Sequence, residues 1–471
     1  MNPALSMKNP PPATPRRHRR ISSWRREALR TTLWVVPSLL VVAAGLLFIL
    51  TDALDRAAYR GDITFPSWIN HGSADAGRQI LSAIAAANIT VVGVVFSITI
   101  VALTLASQQF GPRMLRNFMR DRGTQYTLGA FVATCVYAVL ALGSISTGSH
   151  GDFVPHLSIG VALALLLVDL GVLIYFIHHV AVSIQLPNVI AGIAGDLREA
   201  INAQFVPDAP TDPVDPADGP GTGASLAELL HRLSEAGAEV PATRSGYLQF
   251  IGRPRLVEMA RQADAVVRFL YHPGHFVIEG RDLAVVWPAD GAEQIAASLD
   301  RAHAIGPQRT LTQDLLYAID QLAEIALRAL SPAVNDTFSA LTCIDWLGDG
   351  LCRISARPTP SGVYRDSLGQ IRLIEAVVPY PRIVKGAFDK IRQAGRGIPA
   401  VEIRQLDILA KIMEYTTAPE QRQVLVEQAE MIAQASEEAV PEERDRADVR
   451  SRFHAVLDAM TRRETAELVA G

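Results

Sequence analysis

The chain has 471 residues, about three times the ~150-residue norm for one domain, so more than one folding unit fits. It is 49% hydrophobic and 20% charged, which excludes a wholly disordered or collagenous chain. With 44 Lys plus Arg against 48 Asp plus Glu, there is no chain-wide basic field to hold a nucleic acid, and no nucleic-acid partner is expected.

Mean hydropathy is nevertheless positive, at +0.19. The excess lies in four apolar runs within the first 180 residues, each about long enough to cross a bilayer core. They are Thr31 to Thr51, Ile80 to Ala106, Tyr126 to Ser146 and Leu157 to Ile177. The first run is too long for a signal-peptide core and is followed by a poor cleavage site, so it is read as retained. Lys and Arg cluster before the first run and between the second and third, whereas the loop after the third has none. The positive-inside rule then places both termini in the cytoplasm. Residues 1–125 carry a net +9, residues 126–180 carry −2 and the remainder −11. A basic membrane end beside an anionic inner leaflet and an acidic soluble body are therefore expected.

The expected organisation is a basic tail (1–30), a four-helix transmembrane domain (31–180), an amphipathic connecting helix (181–205) and a Pro/Asp/Gly linker (206–224). A small α+β unit (225–305) and a mainly helical region with one hairpin (306–471) follow. The fold class is thus membrane α-helical, four transmembrane helices, followed by a cytoplasmic α+β, mainly helical domain. In the small unit, strands are expected at Gly246 to Ile251, Ala265 to Tyr271, His275 to Ile278 and Asp282 to Trp287, with a helix from Pro254 to Gln262. The segment PGHFVIEGRDLAVV resembles the turn-strand element of biotinyl and lipoyl carrier barrels, but it lacks a lysine at the turn, so no covalent cofactor is expected. Helices are expected over Arg309 to Leu330, Asp336 to Ser355, Pro381 to Gln393, Val401 to Tyr415 and most of Pro419 to Glu467. The hairpin strands are Gly362 to Arg365 and Gln370 to Val377.

Several polar residues stand out. Asp169 lies near the middle of the fourth run, where an unpaired carboxylate costs at least ~2.5–3.5 kcal/mol on insertion scales. It should face the bundle interior, either as an ion or proton site or as a protonated acid making one interhelical hydrogen bond, with Asn88 and the hydroxyls of the second run as companions. Thr90, Ser97 and Thr104, spaced by seven with Gly93 beside them, share one helix face. That face reads either as close helix packing or, together with Asn88, as a polar pathway that requires several copies of the chain. Phe110 to Arg120 reads as a basic amphipathic helix whose Arg113, Arg116 and Arg120 meet anionic lipid or the acidic body. Around the sequence Ser-Pro-Ala-Val-Asn-Asp, Ser331, Asn335 and Asp336 open a helix while Arg309, Gln313 and Asp314 lie on the helix before it. These six are candidates for a small anion, cation or other small ligand, against plain helix capping. The pairs His178–His179 and His272/His275 offer too few ligands for a metal site, and the three cysteines form no CxxC pair. No phosphate loop, dinucleotide fingerprint, HExxH or GxSxG occurs, and no catalytic residue is assigned.

Three phrases together, SITIVALTLASQQFGPRMLRNFMRDRGTQYTLGAF, SGYLQFI and GPQRTLTQDLLYAIDQLAEIALRALSPAVND, resemble a bacterial family of predicted membrane proteins with a domain of unknown function (2254), over about residues 28 to 415. Ala333 and Thr337 stand where the family pattern has Gly and Pro. The resemblance implies the fold pattern and an inner-membrane location, and it brings no activity. From the residues themselves the leading expectation is a homo-oligomeric, channel-like or transport-like protein with a cytoplasmic regulatory domain. The alternative is a membrane-anchored sensor or scaffold whose cytoplasmic domain binds a small ligand or protein.

Overall fold

The computed structural model describes residues 34–63, 73–110, 121–146, 153–205 and 225–470. Among the described residues, four helices are long and apolar enough to cross a membrane: α1 (Val35–Tyr59), α2 (Ala74–Phe110), α3 (Arg122–Ser144) and α4 (His156–Ser183). They pack as one bundle in which α3 is the most enclosed, with Tyr137, Ala138 and Ala141 fully buried against Leu81 and Ala162. Helices α1, α2 and α4 run on past the C-terminal ends of their apolar stretches. The hydrogen-bonded backbone continues through Asp52–Tyr59 in α1 and through the last turns of α2, because nothing helix-breaking follows the apolar residues there.

Pro187, in the first turn, starts α5 (Leu186–Gln204), consistent with a ring that fits only where the amide is unpaired anyway. The amphipathic face expected of this helix is buried, but against the C-terminal helices: Ile190, Ile193, Leu197 and Ile201 belong to the largest apolar core of the protein. The same core takes in Ala106 from α2. The 206–224 linker, the 1–30 tail and Arg113, Arg116 and Arg120 lie outside the described residues.

Ser225 caps α6 (Leu226–Ala236) by accepting from the Glu228 amide at 3.2 Å. There follow β1 (Ala238–Pro241), β2 (Gly246–Ile251), α7 (Arg253–Gln262), β3 (Val266–Phe269), β4 (Phe276–Val277), β5 (Asp282–Trp287), α8 (Ala292–Leu299) and β6 (His303–Gly306). The remainder is α9 (Leu315–Ala329), α10 (Thr337–Ser355), β7 (Val363–Arg365), β8 (Ile371–Glu375), α11 (Tyr380–Ala394), α12 (Pro399–Tyr415), α13 (Pro419–Ala439) and α14 (Glu443–Ala470). One sheet has the order β1-β5-β3-β8-β7 and the other β4-β2-β6. The β7–β8 hairpin is therefore no isolated interruption among helices. Strand β8 lies parallel to β3, pairing Val267 with Leu373, and the Arg253–Glu375 ion pair at 2.9 Å fastens it to α7. The two strands of the carrier-like segment separate: β4 pairs with β2, whereas β5 pairs with β1 and β3. The segment does not form the single hairpin of a carrier barrel.

Candidate functional site

The polar residues of the spans divide into an inward and an outward set. Inward, Asp169 of α4 is 2% exposed, and its Oδ2 accepts from the Asn88 amide of α2 at 3.2 Å. The hydroxyl of Thr134 in α3 completes the set. Three helices thus meet on one carboxyl group, each contributing a residue near its middle. Asn88 is the companion expected from the sequence. Thr134 was not singled out, although its depth in α3 matches that of Asp169 in α4. A second interior bond joins Thr51 to the Tyr137 hydroxyl at 2.8 Å.

Outward, Thr90, Ser97 and Thr104 are exposed, and their hydroxyls donate back to the carbonyls of Ala86, Gly93 and Ile100 at 2.8–2.9 Å. This back-bonding is how a helix satisfies a hydroxyl that meets no neighbour. Gly93 has open space where a Cβ would stand. Asn88 does not share this face. Two residues before Thr90, it is turned by about 200° at 100° per residue, so it points into the bundle. A pathway lined jointly by Asn88 and these hydroxyls is excluded by that geometry.

Where α3 begins and α4 ends, Asp121 caps α3 by accepting from the Thr124 amide at 2.9 Å and its hydroxyl at 2.7 Å. His179 Nε2 lies 2.9 Å from both of its carboxyl oxygens, and the His179 ring stacks on Tyr175. Partial burial pushes the Asp121 carboxyl up, but the bonds from Thr124 and His179 outweigh it and hold the group below its ordinary value. A cavity of about 30 Å³ opens beside them, lined by Thr99, Asp121, Thr124, His179 and Ser183. From the sequence His179 stands out only beside His178, as half of a pair too small to bind a metal. An Asp three residues before a Thr at a helix start was the available signal.

The six candidate ligand residues fall into two places. Arg309 is not helical: it precedes α9, which begins at Leu315 with Asp314 as its N-cap. Arg309 grips Asp314 through two bonds, 2.6 and 2.9 Å, and Asp320 through a third at 2.7 Å. Gln313 pairs with both backbone groups of Ile251 on β2. Ser331, Asn335 and Asp336 lie at the other end of α9, about 22 Å away by helix rise. There Ser331 Oγ donates to the Arg328 carbonyl at 2.7 Å and Asp336 caps α10 by accepting from the Ser339 amide at 3.1 Å. Asn335 takes the left-handed conformation, φ 51°, so the turn forms with Ala333 and Thr337 in place of the Gly and Pro of the family pattern. The six residues therefore do not form one site. The rings of His272 and His275 are 3.7 Å apart, and no group of three metal-ligating side chains occurs among the described residues.

A family model described as predicted membrane protein (DUF2254) matches residues 30–411. The chain is similar to an uncharacterized protein of Mycobacterium bovis, 29% identical over 433 residues, covering 89% of this chain and 79% of the relative. Uncharacterized proteins from two strains of Mycobacterium tuberculosis match with the same identity and coverage. No solved structure matches.

Proposed function

This chain belongs to the family of predicted membrane proteins (DUF2254), and from that premise we propose that it is a multi-pass protein of the bacterial inner membrane that assembles from several copies into a channel-like unit. The carrying observation is the outward face of α2. Thr90, Gly93, Ser97 and Thr104 form a strip of small and hydroxyl residues that stands exposed among the described residues. Such strips let helices approach closely and bond across the contact. The bundle interior is closed by apolar packing and by the Asp169–Asn88–Thr134 set, so a polar path belongs between copies rather than within one.

The excess of Lys and Arg on the N-terminal tail and the second loop supports cytoplasmic termini and contact with anionic lipid. The C-terminal body is then cytoplasmic and regulatory, joined to the path by α2 itself through Ala106. Two experiments test the reading. Oxidative disulfide cross-linking with iodine of a Ser97→Cys variant that also carries Cys135→Ala and Cys352→Ala should capture dimers in membranes, and purified protein in liposomes should pass ions at a rate that Ser97→Leu changes. A protein that stays monomeric and passes no ion under any voltage or tension overturns it.

A further inference from the structure

The turn between α9 and α10 sits where two spans enter the C-terminal body. On one side, Arg328 in the last turn of α9 donates to the backbone carbonyl of Gln108, in the last turn of α2. On the other, α10 runs parallel to α5: Leu197 and Ile201 pack over Gly350, Arg198 lies 3.5 Å from Asp349, and Arg357 reaches Asn202 at 2.8 Å. Following the two helices backward from these contacts brings the start of α10 level with the start of α5, three residues after α4 ends. Both routes bring residues 331–338 beside the ends of α2 and α4 at which the chain leaves the spans.

What the turn presents there is apolar. Phe338 is 83% exposed, the most exposed large apolar side chain among the described residues, and Val334 is 54% exposed. Pro332 and Ala333 are exposed beside them. The turn is also held from within: the Asn335 amide donates to Ser331 O at 2.9 Å, the Asp336 amide to Ala329 O at 2.8 Å, and Asp336 caps α10. A tip fixed in this way loses little conformational freedom when it is covered.

We propose that residues 331–338 form a membrane foot, with Val334 and Phe338 inserted at the headgroup–acyl boundary of the bilayer that the four spans cross. The occupant is lipid because the turn lies beside the ends of spans that carry exposed Leu, Ile and Phe, and its own exposed side chains are of the same apolar kind. The proposal rests on the spans lying in a bilayer and is independent of whether the protein conducts.

The test uses the full chain in phosphatidylethanolamine–phosphatidylglycerol liposomes, with Cys135→Ala and Cys352→Ala and the fully buried Cys343 retained. A nitroxide is attached at Val334→Cys, at Phe338→Cys or, as an aqueous reference, at Leu368→Cys in the β7–β8 turn. Labels at 334 and 338 should collide with oxygen in preference to a nickel chelate, at a ratio several-fold above that of 368. A ratio at both positions equal to that of 368 overturns the foot. Protection from both reagents also overturns it: if dilution with unlabelled protein relieves spin–spin broadening, a second copy covers the turn, and if not, another part of the same chain does. Two positions guard against one substitution disturbing the turn.

Discussion

Asp55, on α1, supplies the N-cap that α4 lacks from its own sequence: its carboxylate accepts from the Leu157 amide at 2.9 Å and from the amide and hydroxyl of Ser158 at 3.0 and 2.7 Å. Pro155, at the cap position of α4, makes no side-chain cap bond. The first and fourth spans are thereby tied at one end by a carboxyl group only 4% exposed, set at the positive end of a helix dipole.

Removing that carboxylate in Asp55→Ala should lower stability by about 1–2 kcal/mol, the usual worth of an N-cap at its upper range. Thermal unfolding of purified protein in detergent reads the loss. Asp55→Asn, which keeps one acceptor, should fall between the two.

Asp169→Leu leaves the Asn88 amide and the Thr134 hydroxyl without their shared partner in an apolar surround, at a cost of about 1–3 kcal/mol. Asp169→Asn retains a hydrogen-bonding group and should unfold close to the parent. Equal melting of the two variants would show that the three-helix knot contributes nothing.

Arg309→Gln should be more damaging, by about 3 kcal/mol, because it strands the 2%-exposed Asp314. Burial pushes the Asp314 carboxyl up and Arg309 opposes it. Without the guanidinium the carboxyl should rise further, so the variant should lose less stability relative to the parent at acid pH than at neutral pH. Parallel melts at several pH values measure the difference.

Asn335→Gly should be close to neutral, since glycine adopts positive φ freely, whereas Asn335→Val should cost about 1–2 kcal/mol at the same φ of 51°. Identical melting of the two would contradict the left-handed turn.

Partial burial and the neighbouring His272, Arg309 and Arg382 push His275 from 6.5 down to about 4. The unfolded chain therefore binds the proton first as pH falls. This group's contribution is complete above pH 6.5 and is lost between 6.5 and 4. His275→Gln should flatten the fall of melting temperature over that window. Burial lowers His303 as well, so part of the slope should remain.

The spans were legible because the bilayer demands a run of apolar residues and the chain supplies four of them. Their ends were not, since Asp52 to Tyr59 is as helical as the apolar turns before it. Strands β2, β3, β4 and β5 appear within the segments where strands are expected, whereas β1 and β6, four residues each and lying against helices α6 and α8, carry no separate signal. Pairing of β8 with β3 spans about a hundred residues and leaves no local trace. For the polar residues, the link between Asp169 and Asn88 followed from scarcity, as few partners exist at that depth. The separation of Arg309 from Asn335 depended on where α9 starts, and Asp314 fixes that by capping.

Helix α2 runs unbroken for 37 residues, about 55 Å, from Ala74 to Phe110, with Ala106 clamped in the C-terminal core. It acts as a lever arm. A tilt of about 5° pivoted at Ala74 sweeps the far end through about 5 Å, more than a close-packed core absorbs by side-chain adjustment. Any reorientation of this rod within the bilayer must therefore displace the C-terminal helices as a body, and load applied to that body must be felt along the hydroxyl strip of the span.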